Sequence, residues 1–360
     1  MRPDEILELE PFSLGGQEKD RVLGAALHDL TEHHRSRSPE YARVLAALWP
    51  DPPAGRAPAD VPWLPVGLFK THDLRSVPED EVVKVLASSG TSGAASRVHL
   101  DRESTRRQTR ALASTMRAVL GAERRPMLIV DAREGIADRG RPNARAAGIL
   151  GMSTFGRDHL YLLDADHRVR HDELAAWLER QGDRPLLVFG FTYMVWRHLV
   201  GAIARAEADL SRAVLMHVGG WKALAEEAVS RERFAAVLRD RTGVARVCDY
   251  YGMVESLGSV FLEGECGRLH APNHADVVVR DPVTWAPVPD GCEGVIEVLS
   301  VLPTSYPGHA ILTEDRGTVL ARDGCACGWR GAALRVHGRL PRAELRGCSD
   351  VRALAGRLAA

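Results

Sequence analysis

The sequence predicts an α/β protein with a β-rich C-terminal part, and three observations carry this. Short apolar runs alternate with helical patterns up to about residue 257, the signature of a sheet covered by helices. Beyond that point helical periodicity stops, and apolar runs continue between Gly/Pro turns. The chain has 360 residues, 45% hydrophobic and 26% charged, which suits a globular protein of about two domains.

Each element follows from local pattern. Residues 18–34 and 39–48 carry apolar side chains at helical spacing. Residues 49–62 hold five prolines and one glycine, a linker or an extended surface loop. Apolar runs at 82–87, 127–130, 186–189 and 214–217 read as buried strands. The segments 104–120, 172–181, 194–209 and 222–240 read as helices. The runs at 277–279, 295–299, 310–313 and 334–337 read as the strands of the C-terminal part. This divides the chain into four parts: a helical N-terminal segment with its Pro-rich linker (1–60), an α/β core (61–257), a β-rich subdomain (258–337) and a short tail (338–360).

Composition excludes several classes. Net charge is −1, so bulk charge gives no indication of nucleic-acid binding. Lys19, Lys70, Lys84 and Lys222 are the only lysines beside 43 arginines, a base-composition bias that makes each lysine worth inspecting. The first ten residues are acidic and lack a signal-peptide pattern. The longest apolar run, 186–196, is too short to cross a bilayer. The expectation is a cytoplasmic protein without a transmembrane segment, whose six cysteines are reduced and serve as core residues, metal ligands or catalysts. Cys248 reads as a strand residue and Cys292 as a turn residue. His33 and His34 read as solvated.

The run at 82–87 leads into Ser88-Ser89-Gly90-Thr91-Ser92-Gly93. Glycines permit close approach of backbone amides to an anion, and hydroxyls add donors, so the segment suits phosphate oxygens. It equally suits a polar turn. No Gly-Lys pair exists for a Walker loop and no G-x-G-x-x-G for a dinucleotide site. Gly90–Ala94 narrowly misses the G-x-S-x-G of a hydrolase elbow.

At this point the sequence resembles adenylate-forming enzymes, which activate carboxylic acids with ATP. The hydroxyl–glycine loop resembles their phosphate loop. Gly219-Gly220-Trp221-Lys222 resembles the adenine-pocket loop, Asp249-Tyr250-Tyr251-Gly252-Met253-Val254-Glu255 the Tyr-Gly-x-x-Glu motif, Thr313-Glu314-Asp315 the ribose-binding segment and Gly338-Arg339 the hinge-proximal pair. Within that superfamily it is closely similar to the acyl-protein synthetases of bacterial bioluminescence fatty-acid reductase systems. Phe69-Lys70, the Ser-Ser-Gly-Thr-Ser-Gly loop, Gly-Gly-Trp-Lys, Ser305-Tyr306-Pro307-Gly308-His309 and Arg346-Gly347-Cys348-Ser349 carry this second likeness.

The resemblance implies roles. Ser88, Ser89, Thr91 and Ser92, with the amides of Gly90 and Gly93, would hold the phosphates. Glu255 would ligate Mg2+, Tyr251 would pack beside adenine, and Asp315 would accept from the ribose hydroxyls. Arg339 would contact the nucleotide or acyl phosphate, and Lys222 would neutralise a carboxylate or phosphate. Cys348 would accept the acyl group as a thioester, with Arg342 and Arg346 favouring its thiolate and Asp350 opposing it. Two departures stand out. Ser96-Arg97 replaces the lysine that usually follows the phosphate loop. The resemblance leaves the lysine of the superfamily's lid domain without a counterpart among the roughly twenty residues that follow Arg339, so an architecture lacking the full lid is expected.

Cys266-x-x-x-His270 and Cys325-x-Cys327-Gly328 form a second constellation. Three thiolates and one imidazole make a closed, structural Zn2+ set, and related aryl-acid ligases carry a similar pair. The segments also read as unrelated loops with free thiols. Phe189, Phe191, Tyr193, Met194 and Trp196 suit either the core or an acyl tunnel. The expected function is ATP-dependent activation of a carboxylic, most simply fatty, acid to acyl-AMP. Transfer to Cys348 and then to a partner, an acyl reductase or carrier protein, would follow. Alternatives are a free-standing ligase delivering to coenzyme A or a carrier protein, and a nucleotide-binding scaffold for a reductase. The N-terminal helices are a candidate docking surface.

Overall fold

The computed structural model describes residues 1–87, 95–134, 144–203, 208–221 and 226–340. The chain divides into two compact units, one of residues 1–118 with 252–360 and one of residues 119–251. These boundaries differ from the four-part division read from composition.

In the first unit the two predicted N-terminal helices are Gly16–Arg37 and Pro39–Leu48. Ser38 separates them. Its Oγ accepts from the Tyr41 N–H at 3.3 Å, and Pro39 occupies the first helical position, where it has no N–H to lose. Val22, Leu23, Leu27 and Leu30 pack in one cluster with Val295, Leu299, Val301 and Leu312. Residues 1–48 are therefore part of this unit's core, which leaves that face of the helices unavailable for docking. The Pro-rich stretch feeds the same cluster through Val61 and Trp63, and the Trp49 indole donates to the Trp63 carbonyl at 3.0 Å.

Strands are numbered along the chain. The main sheet of this unit runs in the order β11 (Ala275–Arg280), β12 (Glu293–Ser300), β13 (Ala310–Arg322), β14 (Ala332–Arg339), β10 (Leu269–His270), β9 (Phe261–Glu263), all neighbours antiparallel. β1 (Leu64–Pro65) pairs parallel with β13. The four strands predicted beyond residue 257 fall within β11 to β14, the third covering only the first four residues of β13. The predicted buried strand at 82–87 is a correction: β2 (Lys84–Ala87) forms a two-stranded ribbon with β3 (Arg97–Leu100), and Val83 and Val85 are 57% and 51% exposed. Val98 and Leu100 of β3 supply the buried face.

The second unit is a parallel sheet in the order β5 (Gly156–Leu163), β4 (Arg125–Ala132), β6 (Leu186–Phe191), β7 (Ala213–Val218), β8 (Arg246–Tyr251). Met127–Val130 and Leu186–Phe189 are wholly buried, as strands covered on both faces require. Two predicted helices are corrected. The helix read at 222–240 is Arg231–Thr242: Ser230 accepts from the Arg233 N–H at 3.2 Å, and Gly243 closes it in the left-handed region. The helix read at 194–209 is a turn, Thr192–Met194, continuing as a π-helix over Val195–Val200. Such wide turns recur at functional sites.

Candidate functional site

In the second unit β4 leads sideways to β5, whereas β6 leads the opposite way to β7. The switch point therefore lies between β4 and β6, and open parallel sheets hold ligands at the carboxyl ends of such strands. Asp131 stands there at the end of β4 with its side chain 3% exposed. Arg145 grips it with two donors, Nε to Oδ2 at 2.5 Å and Nη2 to Oδ1. Its Nη1 donates to the Tyr193 hydroxyl at 3.2 Å, which ties the end of β4 to the segment after β6.

On β7, His217 is 5% exposed. The Thr192 hydroxyl donates to the Gly219 carbonyl at 2.6 Å, so His217 Nδ1–H, 3.0 Å away, donates to that hydroxyl. Nε2 is left as an acceptor without a partner among the described residues. Burial, with the Arg231 charge, lowers the imidazole to about 3, so it is neutral. Asp249 of β8 is the register partner of His217, with Oδ1 3.7 Å from Nδ1. Desolvation raises its carboxyl against the Tyr250 N–H and Arg231. Trp196, Trp221 and Phe234 pack on one another beside this pair, and the His217 and Phe234 rings lie 4.8 Å apart.

The predicted residues of this unit therefore gather at one edge. Gly219, Gly220 and Trp221 follow β7, and Asp249, Tyr250 and Tyr251 end β8. Gly219 has φ +80°, a left-handed conformation that favours glycine, and a Cβ there would be in van der Waals contact with the Phe191 ring. Of the aromatic group, Phe189 and Met194 are core, while Phe191, Tyr193 and Trp196 are partly buried and joined by Trp221. Cys248 is buried in β8 and Cys292 exposed in a turn, as expected.

In the first unit Glu255 lies in the turn Val254–Ser256, 5% exposed, and Gly252 is exposed just before it. Asp315 and Arg339 are register partners on β13 and β14, with Arg339 Nε 3.9 Å from Asp315 Oδ1. The Thr313 hydroxyl accepts from the Asp315 N–H at 3.1 Å and donates to the Ile296 carbonyl at 2.7 Å, fixing that corner. The 302–309 segment runs against the Glu255 backbone: a Cβ on Gly308 would lie 2.6 Å from the Glu255 carbonyl oxygen. His33 and His34 hold this segment and are not solvated, a correction. His33 Nε2 meets the Thr304 carbonyl at 2.9 Å and His34 Nε2 the Pro303 carbonyl at 3.2 Å. Thr31 and His309 Nε2 lie 2.9 Å apart, and the His34 and His309 rings stack. A one-dimensional reading misses these contacts because the partners are some 270 residues away.

Cys266, His270, Cys325 and Cys327 converge, with all ligand atoms within 4.8 Å of one another. His270 Nδ1–H donates to the Arg268 carbonyl at 2.9 Å, which leaves Nε2 facing the sulfurs of Cys327 at 3.5 Å and Cys266 at 4.0 Å. The Cys325 and Cys327 sulfurs are 3.5 Å apart. Zinc bond lengths of 2.0–2.3 Å place ligand atoms roughly 3.5–3.8 Å apart, so the set fits a tetrahedral ion. Burial and the two neighbouring thiols push Cys266 up to about 12. Against burial, the Cys327 N–H and the adjacent thiols lower Cys325. Beside the cluster the buried Lys19 ammonium donates to the Ala271 carbonyl at 3.0 Å.

Ser88, Ser89, Gly90, Thr91, Ser92, Gly93, Lys222 and Cys348 lie outside the described residues. Sequence reading missed Asp131, Arg145, Thr192 and His217. The available signal was a polar residue closing an apolar strand, as Asp131 closes β4 and His217 nearly closes β7.

Comparison with known proteins bears on this layout. The family model described as acyl-protein synthetase, LuxE, matches residues 2–355. The long-chain-fatty-acid–luciferin-component ligase of Vibrio harveyi is 24% identical over 308 residues, 81% of this chain and 76% of that protein. Among solved structures, 2-hydroxyisobutyryl-CoA ligase in an open conformation matches with a TM-score of 0.63 at 17% identity, over 92% of this chain and 76% of that chain. In its thioesterification state it matches with a TM-score of 0.66 at 18% identity, over 92% and 70%. This likeness shows the fold, the α/β architecture of adenylate-forming ligases. The chain belongs to the LuxE acyl-protein synthetase family and is an adenylate-forming ligase.

Proposed function

We propose that the protein activates a long-chain fatty acid with ATP, carries the acyl group on Cys348 and delivers it to an acyl reductase. The observation that carries this reading is the family match over residues 2–355, on a chain that keeps Glu255, Asp315, Arg339 and Cys348 in motif order. A carboxylate oxygen attacks the α-phosphorus of ATP. The bond to pyrophosphate breaks and acyl-AMP remains. The Cys348 thiolate then attacks the acyl carbonyl carbon, the bond to AMP breaks, and a thioester forms. The partner's nucleophile takes the acyl group in turn and frees the thiol.

The chain's own groups have assignable parts. Asp315, held by Thr313, accepts from the ribose hydroxyls. Arg339, 74% exposed and only loosely paired with Asp315, is free to turn toward phosphate charge. The 88–93 loop binds the phosphates, and Lys222 neutralises a carboxylate or phosphate. Glu255 supplies an oxygen ligand to Mg2+, which neutralises phosphate charge when bound. Gly219, Gly220 and Trp221, with Asp249, Tyr250, Tyr251 and Gly252, form the adenine side. The aromatic group around Trp196 and Trp221 takes the acyl chain. Cys266, His270, Cys325 and Cys327 hold a structural Zn2+: four protein ligands leave no position for substrate.

Intact-mass spectrometry after incubation with Mg-ATP and a panel of fatty acids tests the relay. Wild type gains one acyl mass and Cys348→Ser does not, while both release pyrophosphate. A variant that still acylates, or that turns over at the wild-type rate with a soluble thiol acceptor, removes Cys348 from the pathway.

A further inference from the structure

The second unit's sheet has a second polar edge, at the amino ends of its strands. A cavity of about 470 Å³ lies there, lined by Arg124, Arg125, Arg157 and Arg184 and by a single carboxylate, Glu123. Four of its ten lining residues are arginine, against 43 of 360 in the chain, so general arginine richness does not account for it. β4 is eight residues long, so this edge stands roughly 25 Å from the carboxyl edge that carries Asp131.

The arginines are fixed rather than merely solvated. Arg124 Nε donates to the Gly156 carbonyl at 2.8 Å, and Arg157 Nε returns a bond to the Arg124 carbonyl at 3.0 Å. Both bonds use Nε and neutral acceptors; Arg157 Nη1 also donates to the neighbouring Asp158 carboxylate at 2.8 Å, so of these two it is Arg124 whose charge no carboxylate compensates among the described residues. Arg184 has a neutral partner too, the Gln181 side chain at 3.4 Å. Among the described residues no carboxylate pairs with Arg125. Its half-burial and the nearby Arg246 guanidinium hold it below the ordinary arginine range.

We propose that this cleft is a binding site for a small, multiply charged phosphate anion, separate from the nucleotide edge of the same sheet. Guanidinium forks match phosphate oxygens two at a time. The concave shape and a volume within the roughly 300–1,000 Å³ of small-ligand sites favour a soluble anion over a membrane face. The inference is independent of the acyl relay on Cys348.

The test is calorimetric titration of the full chain with inorganic tripolyphosphate, with α,β-methylene ATP in excess to fill the nucleotide edge. Wild type shows saturable binding that weakens with salt. Arg125→Gln with Arg184→Gln weakens it at least tenfold and leaves pyrophosphate exchange unchanged. Neither side chain has a backbone partner among the described residues, so a matching melting temperature is expected. Glu123→Gln, which removes the lining carboxylate, tightens binding severalfold. Binding within twofold of wild type in the double variant overturns the site. So does capture by phosphatidylglycerol vesicles with no response to tripolyphosphate, which assigns the charge to a membrane surface.

Discussion

The two units bury polar groups in opposite ways. In the second unit the strands are apolar through their buried middles, and Asp131, His217 and Asp249 stand near the carboxyl ends. In the first unit polar side chains lie inside. Lys19, His34, His274, Arg280, Glu297 and His309 are each at most 3% exposed, and Arg280 Nε meets Glu297 at 2.5 Å. A parallel sheet covered on both faces leaves room for chemistry only at strand ends, where the backbone turns out of the ladder. The first unit instead must hold irregular segments, 264–268 and 302–309, which lack ladder partners of their own. Side-chain hydrogen bonds and the cysteine–histidine cluster supply what repetition does not.

If that contrast holds, the first unit should be the more sensitive to metal and acid. Metal removal has the largest expected effect. Structural zinc contributes on the order of 10 kcal/mol to the folding of small domains, and a sizeable part of that should appear here. Elemental analysis should find one zinc per chain. Chelation, or Cys327→Ser, should remove it and lower the melting temperature of the first unit before that of the second. A chain that is metal-free and equally stable with or without chelator argues against the ion.

Acid comes next. Burial lowers His274 and His309 to about 3, and His34 well below its usual value. All three are neutral in the fold and take protons on unfolding near pH 6.5. Their contribution is complete above that pH and is lost as pH falls from 6.5 toward 3. Buried Glu297, raised to about 7, takes up a proton in the fold and offsets one of the three, which leaves about 2.7 kcal/mol per pH unit for the first unit; in the second, His217 and His198 (lowered to about 3 and about 4) against Asp249 (raised to about 7) leave about 1.4. Urea unfolding at pH 7.5, 6 and 5 measures both slopes. Equal slopes would erase the distinction between the units.

The smallest effect lies at a strand end. Arg145→Met leaves the Asp131 carboxylate buried and uncompensated, at a cost of about 3 kcal/mol. Adding Asp131→Asn should recover most of it. If the single variant is as stable as wild type, the pair is not what joins β4 to the segment after β6.

The alternation of apolar runs was legible because burial on both faces demands continuous hydrophobicity, and β4, β6 and β7 lie where those runs fall. β5 was not, because charged Arg157, Asp158 and His159 interrupt its pattern. The Asp315–Arg339 proximity was legible as two motifs but not as a pair: antiparallel register joins residues 24 apart in sequence. The cysteine–histidine spacing singled out Cys266, His270, Cys325 and Cys327, whose side chains the structure brings together. It could not say that they converge, since one pair lies on the β9–β10 turn and the other on the turn before β14.

Local chemistry, then, was decided by the sequence itself: which segments extend or coil, where Ser230 starts a helix, and which motifs place the chain among adenylate-forming ligases. Those are properties of neighbouring residues, and neighbours are what a sequence lists. Tertiary structure alone decided that His33 and His34 are anchors, that the N-terminal helices are core, that Asp131 meets Arg145, and that four arginines share one cleft. Each depends on loop closure across tens to hundreds of residues, where the free energy of packing, not local preference, selects the partner.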